Sequence, residues 1–170
     1  MKKEQSKITI YTDGAAKGNP GRAGWGAVIL NYELGITNYK TIEIGGGVEH
    51  ATNNQMELTA PIEALKFVKK NLMSRLNLDM GQIEIVSDSK YVILGITEWI
   101  FNWQKNNWRN ANKKPVLNRE LWEELYALSK EFSPKWTHIK GHNEDKYNDR
   151  ADLIATSFTE SKPIELKSKK

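Results

Sequence analysis

Hydrophobic and polar positions alternate near the start of the chain, as they do in β-strands. Residues 7–12 follow the two-residue period of a strand and are rich in Ile, Thr and Tyr. Two further runs, Trp25 to Tyr32 and Thr37 to Gly46, carry similar strand signals, and turn-rich segments separate them. Three consecutive strands joined by short turns predict an antiparallel meander.

Helical and strand patterns alternate along the rest of the chain. The periodicity predicts strands at 82–87 and 135–139 and helices at about 53–72, 89–96, 118–132 and 148–159. Strands that alternate with helices pair in parallel, so we expect this half to add parallel strands to the sheet. The sequence therefore predicts an α/β fold.

The length of 170 residues suits one domain with its own core. We expect this domain to span residues 7–159, after an N-terminal extension of residues 1–6. Residues 160–170 form a lysine-rich tail, which we expect to be disordered.

Composition narrows the classes of function. Hydrophobic residues make up 39% of the chain and charged residues 27%, which is typical of a globular protein. There is no cysteine, so disulfides, thiolate zinc sites and cysteine nucleophiles are excluded. No apolar run is long enough to span a membrane and no targeting peptide is evident, so we expect a cytoplasmic protein. Because no heptad repeat is present, we expect a monomer. A net charge of +4 permits a nucleic-acid partner without proving one.

Four carboxylates stand where the predicted elements meet. Asp13 and Asp88 end strands, Glu57 opens a helix, and Asp152 lies in the first turns of the last helix. Strand ends and helix starts share one edge of an α/β sheet, so the four can surround one site. Carboxylates at such distances repel one another unless a cation neutralises them. Oxygen ligands without cysteine favour Mg²⁺ or Mn²⁺ over zinc, and paired ions of this kind suit in-line cleavage of a phosphodiester.

Each carboxylate also has a purely structural interpretation. Asp13 can form an Asp-Gly turn, and Asp88 can cap the helix that follows it. Glu57 can be a solvated glutamate near a helix N-terminus, where negative charge is favoured. Asp149 and Asp152 lie one helical turn apart, so we expect only one of them to face a metal, with Asp149 serving the helix N-terminus instead.

Two further features can carry chemistry. His142 stands on a polar loop beside carboxylates, where it can move protons near neutral pH or be an ordinary surface residue. The stretch from Trp99 to Arg119 is cationic, has no acidic residue and contains three of the six tryptophans. Such a stretch binds phosphates and packs on bases or sugars, or it is a solvated loop. We favour nucleic-acid binding for the stretch and core packing for Trp103 and Trp108.

These motifs, in this order, resemble ribonuclease H of type 1. The resemblance covers about residues 7–158, and the ordered set is far more specific than any single motif. The matching stretches are Tyr11-Thr12-Asp13-Gly14, Gly18-Asn19-Pro20-Gly21, Thr52 to Leu58, Ser87 to Val92, Trp99 to Asn102, Lys113 to Val116, Asn118 to Trp122, Lys140-Gly141-His142 and Asn148 to Asp152.

The resemblance implies a ribonuclease H-like fold, a five-stranded mixed sheet of order 3-2-1-4-5 with strands 1–3 antiparallel and helices on both faces. It implies an endonuclease that hydrolyses the RNA strand of RNA–DNA hybrids without sequence specificity, leaving 5′-phosphate and 3′-hydroxyl ends. Two Mg²⁺ ions, or Mn²⁺, would be held by Asp13, Glu57, Asp88 and Asp152. His142 would assist proton transfer or product release.

The resemblance also assigns residues that bind the hybrid. Three asparagines, Asn19, Asn53 and Asn54, would read the RNA 2′-hydroxyls. Thr52 and Asn102 would hold a DNA phosphate. The remaining expected contacts to the DNA strand or to phosphates are Lys90, Trp99, Lys105, Arg109, Lys113 and Lys114.

Some positions depart from the family pattern. His50 stands where arginine is frequent, and Lys90 where glutamine or methionine is frequent. The loop after His142 carries charged residues in place of small ones. Two other functions remain as alternatives: a hybrid or double-stranded RNA binding module without catalysis, and another nuclease or a transposase on the same fold.

Overall fold

The structure is a computed structural model and describes residues 7–32, 39–73, 82–141 and 144–167. The expected extension of residues 1–6 and the last three residues of the tail lie outside this range. None of the helices in the described part of the chain is both long and apolar enough to cross a membrane.

A five-stranded mixed sheet forms the centre of the molecule. Strands β1 (Lys7–Lys17), β2 (Gly21–Tyr32) and β3 (Lys40–Ala51) form an antiparallel meander. Strand β4 (Ile83–Ser87) lies parallel to β1, and β5 (Lys135–His138) lies parallel to β4. The order is β3-β2-β1-β4-β5, which confirms the expected sheet.

Helices cover the two faces of this sheet. The helical segments are α1 (Asn53–Asn71), α2 (Lys90–Leu94), a π-helical turn (Gly95–Trp99), α3 (Ile100–Lys105), α4 (Arg119–Phe132) and α5 (Lys146–Thr159). The main core lies between the sheet and helices α1 and α4, and it includes the fully buried Trp122. A smaller cluster on the other face joins Val28 and Leu30 of β2 to Ile154 of α5.

Two elements extend beyond their predicted ends: the strand predicted to end at Gly46 reaches Ala51, and the helix predicted to end at residue 96 reaches Lys105. Strand β3 continues through Gly45–Gly47, since these residues pair with β2. The helix predicted at 89–96 continues through the π-helical turn to Lys105. At Gly95, a Cβ atom would lie 2.0 Å from the ring of Trp122. Gly95 therefore meets a packing requirement and does not end the helix.

The described part of the C-terminal tail, residues 160–167, lies against the domain, which differs from the disorder expected from its lysine content. Ile164 and Leu166 pack on the apolar cluster between β2 and α5. The backbone N–H of Glu43 in β3 donates to the carbonyl of Lys167 (2.6 Å). Apolar residues at alternate positions give this short segment one side that can pack, which the overall charge of the tail conceals.

Candidate metal centre

Asp13 and Asp88 lie side by side where two parallel strands separate. Thr12 of β1 and Ser87 of β4 form the last parallel pair, so Asp13 and Asp88 are the next residues on the two chains. The prediction that Asp13 ends its strand is wrong, because β1 continues to Lys17 as a hairpin with β2. The turn interpretation of Asp13 is excluded for the same reason.

Asp88 does not cap the helix that follows it. Ser89 is the N-cap of α2, and its hydroxyl accepts a hydrogen bond from the backbone N–H of Val92 (3.2 Å). The Asp88 carboxylate is therefore free for the site, which it enters from a half-buried position.

Glu57 reaches the same place from the first turns of α1. Thr52 caps this helix in a capping box with Gln55, and Glu57 lies one turn further on with only 7% of its surface exposed. It is not a solvated glutamate. A Cβ atom at Gly14 would lie 2.4 Å from the backbone nitrogen of Glu57, so the glycine after Asp13 lets α1 approach the strand closely.

Asp13, Glu57 and Asp88 form one carboxylate cluster. Each offers an oxygen atom, and these oxygens all lie within 4.8 Å of one another. Glu57 Oε2 is buried without a hydrogen-bond partner. An orphaned buried oxygen beside two other carboxylates is an unfavourable arrangement unless a cation occupies the site. The cluster therefore fits a hard divalent cation held by oxygen ligands.

Asp152 joins the cluster from the opposite face of the sheet. Its side chain comes within hydrogen-bonding reach of the Asp13 carboxyl, and this contact is one of the causes that raise the pKa of Asp13. Helix α5 can approach this closely because it packs on glycine: a Cβ atom at Gly26, the partner of Asp13 in β2, would lie 2.7 Å from the carbonyl oxygen of Ala151. Asp149 is exposed in the first turn of α5, so the geometry favours Asp152 as the fourth carboxylate.

Crowding changes the acidity of the two most buried carboxyls. The pKa of Asp13 is raised to about 7, chiefly by burial; a hydrogen bond from Glu57 partly lowers the pKa, and the neighbouring Asp88 and Asp152 add to the rise. Burial also raises the pKa of Glu57 well above its usual value, and the Asp13 charge adds to this effect. Without a cation, the cluster therefore retains protons that a bound metal ion displaces.

Two residues that the sequence interpretation missed lie beside Asp88. Asn148 is 2% exposed, and its Nδ2 lies 3.5 Å from Asp88 Oδ2, the limit for a hydrogen bond. His138 Nε2 lies 3.2 Å from the Asp88 carbonyl oxygen. Asn148 stands four residues before Asp152 on the same face of α5, so helical spacing is the signal that could have identified it.

The expected His142 lies outside the described residues. The loop that leads to it does reach the site, because a Cβ atom at Gly141 would lie 3.1 Å from Asp88 Oδ2. Lys90 is exposed at the start of α2, two residues after Asp88.

The asparagines expected to bind RNA lie together at the start of α1. Asn53 and Asn54 are exposed in the first helical positions. The side chain of Asn19, from the β1–β2 turn, accepts a hydrogen bond from the backbone N–H of Asn53 (2.9 Å). The hydroxyl of Thr52 accepts from the backbone of Gln55 as the helix cap.

The cationic stretch combines tryptophans that pack on the core with an exposed basic surface. Trp103 and Trp108 are half-buried and pack on the main core, as expected. Trp99 is 37% exposed and, with Asn102 and Arg109, lines a cavity of about 280 Å³. The other expected contacts of this stretch are also exposed: Lys105, Lys113 and Lys114.

A mixed five-stranded sheet with converging carboxylates at its centre defines a class of metal-dependent enzymes, and comparison with known proteins identifies the family. A model of the ribonuclease H family matches residues 5–160. The chain is 46% identical over 160 residues to the ribonuclease H of Thermosynechococcus vestitus, covering 94% of this chain and 92% of that protein. It is 47% identical over 150 residues to the ribonuclease H of Ruthia magnifica, covering 88% and 93%. The chain belongs to the ribonuclease H family.

Solved structures agree with this placement. The crystal structure of LC11-RNase H1 in complex with RNA/DNA hybrid matches with a TM-score of 0.66 at 27% identity, covering 91% of this chain and 98% of that one. LC9-RNase H1 matches with a TM-score of 0.80 at 20% identity, covering 94% and 74%, which supports the fold alone.

Proposed function

We propose that this protein is an endonuclease that hydrolyses the RNA strand of RNA–DNA hybrids, leaving 5′-phosphate and 3′-hydroxyl ends. The observation that carries the proposal is the cluster of Asp13, Glu57 and Asp88, whose carboxylate oxygens lie within 4.8 Å of one another. The cluster occurs in a chain that belongs to the ribonuclease H family. A module that only binds the duplex has no need of such a cluster, since buried carboxylates repel a phosphate backbone.

The four carboxylates are the proposed ligands of two Mg²⁺ ions, with Mn²⁺ as a substitute. Asp13 is close to Glu57, Asp88 and Asp152, so it would be a ligand together with them. The bound ions would supply a hydroxide nucleophile and would offset the charge that develops on the leaving 3′ oxygen. Asp13 and Glu57 release their protons when they become ligands, because a cation favours the ionised form.

Residues of the chain carry the proton and hold the site in shape. His142 is the proposed proton carrier, since histidine is the side chain suited to proton transfer near neutral pH and the adjacent Gly141 lies against Asp88. The ring of His138 and the amide of Asn148 hold the backbone and the carboxylate of Asp88. Preorganised ligands of this kind lose less free energy when an ion binds.

Three groups of side chains are proposed to select the hybrid. Asn19, Asn53 and Asn54 lie together at the start of α1, where amides can hydrogen-bond to RNA 2′-hydroxyls. Thr52 and Asn102 are proposed contacts to a DNA phosphate, and Trp99 to the DNA sugar or base. Phosphate contacts are proposed for Lys90, Lys105, Arg109, Lys113 and Lys114. Such contacts recognise backbone and shape, so no sequence preference is expected. The expected monomeric state and cytoplasmic location stay predictions.

The proposal is tested by incubating the protein with labelled RNA–DNA hybrid, RNA–RNA duplex, DNA–DNA duplex and single-stranded RNA, each in Mg²⁺ and in EDTA. Cuts confined to the RNA of the hybrid and abolished by EDTA support it. Binding of the hybrid without cleavage would favour the alternative of a binding module, and cleavage of DNA would favour another nuclease on this fold.

A further inference from the structure

An ion pair outside the carboxylate cluster holds helix α5 against the edge strand of the sheet. Glu43 of β3 has a side chain that is only 1% exposed. Arg150 of α5 donates from Nε to Oε2 of Glu43 (2.5 Å) and from Nη2 to Oε1 (2.9 Å). The pair is thus bidentate, the geometry that fixes a guanidinium in orientation as well as in position.

The C-terminal segment of residues 161–167, here called the strap, completes this ion pair. Arg150 Nη2 also donates to the carbonyl of Glu165 (3.1 Å). The backbone N–H of Lys167 donates to Glu43 Oε1 (2.8 Å), and the N–H of Glu43 donates to the carbonyl of Lys167 (2.6 Å). One carboxylate therefore joins three segments: β3, α5 and the strap.

The carboxylate is ionised in spite of its burial. Burial alone would raise the pKa of Glu43, but the hydrogen bonds from Arg150 and from the backbone of Lys167 outweigh this effect and lower it. A buried charge with this number of donors is held in one place, because any displacement leaves it without partners.

The position of Arg150 on α5 connects this ion pair to the metal centre. Arg150 precedes Asp152 by two residues, which places the two side chains about 200° apart around the helix axis. Arg150 reaches outward to β3 while Asp152 reaches inward to Asp13 on β1. The helix is therefore held on both sides, and a rotation about its axis moves both side chains together.

Small rotations matter at this distance from the axis. A carboxylate about 6 Å from the helix axis moves about 1 Å for a rotation of about 10°, by the geometry of the helix. Ligands and catalytic groups need to be held within about 0.5 Å of their productive positions. Fixing the rotation of α5 is therefore a requirement for Asp152 to act as a ligand.

We propose that Arg150 is a positioning residue for the metal centre: with Glu43 and the strap, it sets the rotation of α5 and thereby the approach of Asp152 to Asp13. The inference rests on the proposed function, because it treats Asp152 as a metal ligand. It assigns to the strap a part in metal binding that lies beyond its contribution to stability.

The test compares four variants with the wild type: Arg150→Met, Arg150→Lys, a chain ending at Glu160 and a chain ending at Lys167. Calorimetric titration with Mn²⁺, at a temperature where each protein is folded, gives the metal affinity. Cleavage of hybrid at varied Mg²⁺ gives the concentration for half-maximal rate, and the KM for hybrid is measured in parallel. Leu128→Ala is the control for stability, since it opens the core beneath α4, away from α5.

We expect Arg150→Met and the chain ending at Glu160 to bind Mn²⁺ about tenfold more weakly than the wild type. A loss of this size is typical when a residue that supports a metal ligand is replaced. The half-maximal Mg²⁺ concentration should rise in proportion, with an unchanged KM for hybrid. Arg150→Lys keeps the charge but loses the bidentate geometry, so its Mn²⁺ affinity should lie between those of the wild type and Arg150→Met. Leu128→Ala and the chain ending at Lys167 should bind Mn²⁺ as the wild type does.

Wild-type Mn²⁺ affinity in the folded Arg150→Lys variant and in the chain ending at Glu160 would overturn the inference, and would assign the ion pair to stability alone. This outcome is distinct from a failure of the proposed function, in which the wild type itself binds no Mn²⁺ and leaves the hybrid intact.

Discussion

Asp13 is one of two buried carboxyls in the site whose pKa is raised by crowding. It is 5% exposed and faces three other carboxyl groups. Because burial raises its pKa to about 7, the metal-free protein keeps this carboxyl protonated under conditions where most carboxyls are ionised. The crowded carboxyls therefore lower the stability of the metal-free protein, and the same crowding favours the binding of a cation.

The first prediction concerns the stability of the metal-free protein. A carboxyl with a raised pKa contributes stability that is full below its unfolded value and is lost as the pH rises through the folded value. Since burial raises the pKa of Asp13 from 3.8 to about 7, the free energy of unfolding in EDTA should fall by about 1 kcal/mol per pH unit between about pH 5 and pH 7.

Chemical denaturation across this pH range measures the effect. Asp13→Asn should flatten the fall, and Mg²⁺ should oppose it in the wild type. A stability that stays constant or rises across this range in EDTA would show that Asp13 is ionised in the empty site.

The second prediction concerns the fourth ligand. Asp152 contacts Asp13, whereas Asp149 is exposed. Asp152→Asn should therefore reduce kcat in Mg²⁺ by at least about 100-fold, as loss of a group placed at the reacting centre does. Asp149→Asn should remain within about threefold of the wild type, since exposed substitutions change stability by about 0.5 kcal/mol or less. Equal reductions of the single-turnover cleavage rate in Asp152→Asn and Asp149→Asn would contradict the assignment of Asp152 as the fourth ligand.

At the residue scale, the sequence was sufficient to predict that the carboxylates lie close together. It was not sufficient to predict the residues that hold them in position. Asp13 and Asp88 follow strand patterns, and Glu57 opens a recognisable helix. Asn148 and Arg150 act through Asp88 and Glu43, partners 60 and 107 residues away. No local pattern encodes such pairs, because they arise only when α5 is laid on the sheet.

At the scale of elements, glycine decides how close α5 lies to the sheet. A Cβ atom at Gly24 would lie 2.3 Å from the carbonyl of Ala155, and one at Gly26 would lie 2.7 Å from that of Ala151. Both are contacts to backbone, which cannot move without moving the helix. Close packing of α5 on β2 is therefore what brings Asp152 within reach of β1.

The third prediction tests this packing. Gly26→Ala should displace α5, lower the free energy of unfolding by about 1–3 kcal/mol as overpacking does, and weaken Mn²⁺ binding. Gly47→Ala is the milder comparison, because its Cβ atom would lie 3.2 Å from the Cβ of Phe158 on α5 and would displace the helix less. Calorimetric titration of both variants measures the difference. Wild-type Mn²⁺ affinity in Gly26→Ala would contradict the importance of this close approach.

Element types were predictable and element ends were not. The apolar periodicity identified every strand of the sheet, and the three-strand meander followed from short turns. The ends failed close to glycines: the strand predicted to end at Gly46 runs on to Ala51, and the helix predicted to end at residue 96 runs on to Lys105. In each case tertiary contact replaces the local signal, by strand pairing in one and by packing on Trp122 in the other.

At the scale of the whole molecule, the distribution of charge separates two tasks. Carboxylates converge at the centre of the sheet, while the basic residues of the cationic stretch are exposed beside it. A duplex held by such a surface is bound through its phosphates, so its affinity depends on salt.

The fourth prediction quantifies this dependence. Lys113→Gln and Lys114→Gln should each weaken hybrid binding and reduce the slope of log Kd against log salt by about 1, if each lysine contacts one phosphate. Lys70→Gln, an exposed lysine at the end of α1, is the control with the same change of net charge. Binding is measured by fluorescence anisotropy in EDTA, where cleavage does not occur. Equal slopes in all three variants would place the duplex elsewhere.

The most direct measurement of the central claim compares binding and cleavage of one labelled hybrid by the wild type and by Asp13→Asn. If the carboxylate cluster holds the ions that drive hydrolysis, the wild type cleaves the RNA strand in Mg²⁺. Asp13→Asn should bind the hybrid with similar affinity and leave it intact, because asparagine keeps the shape of the side chain and loses the negative charge that would hold a cation. Cleavage by Asp13→Asn at the wild-type rate would contradict the account.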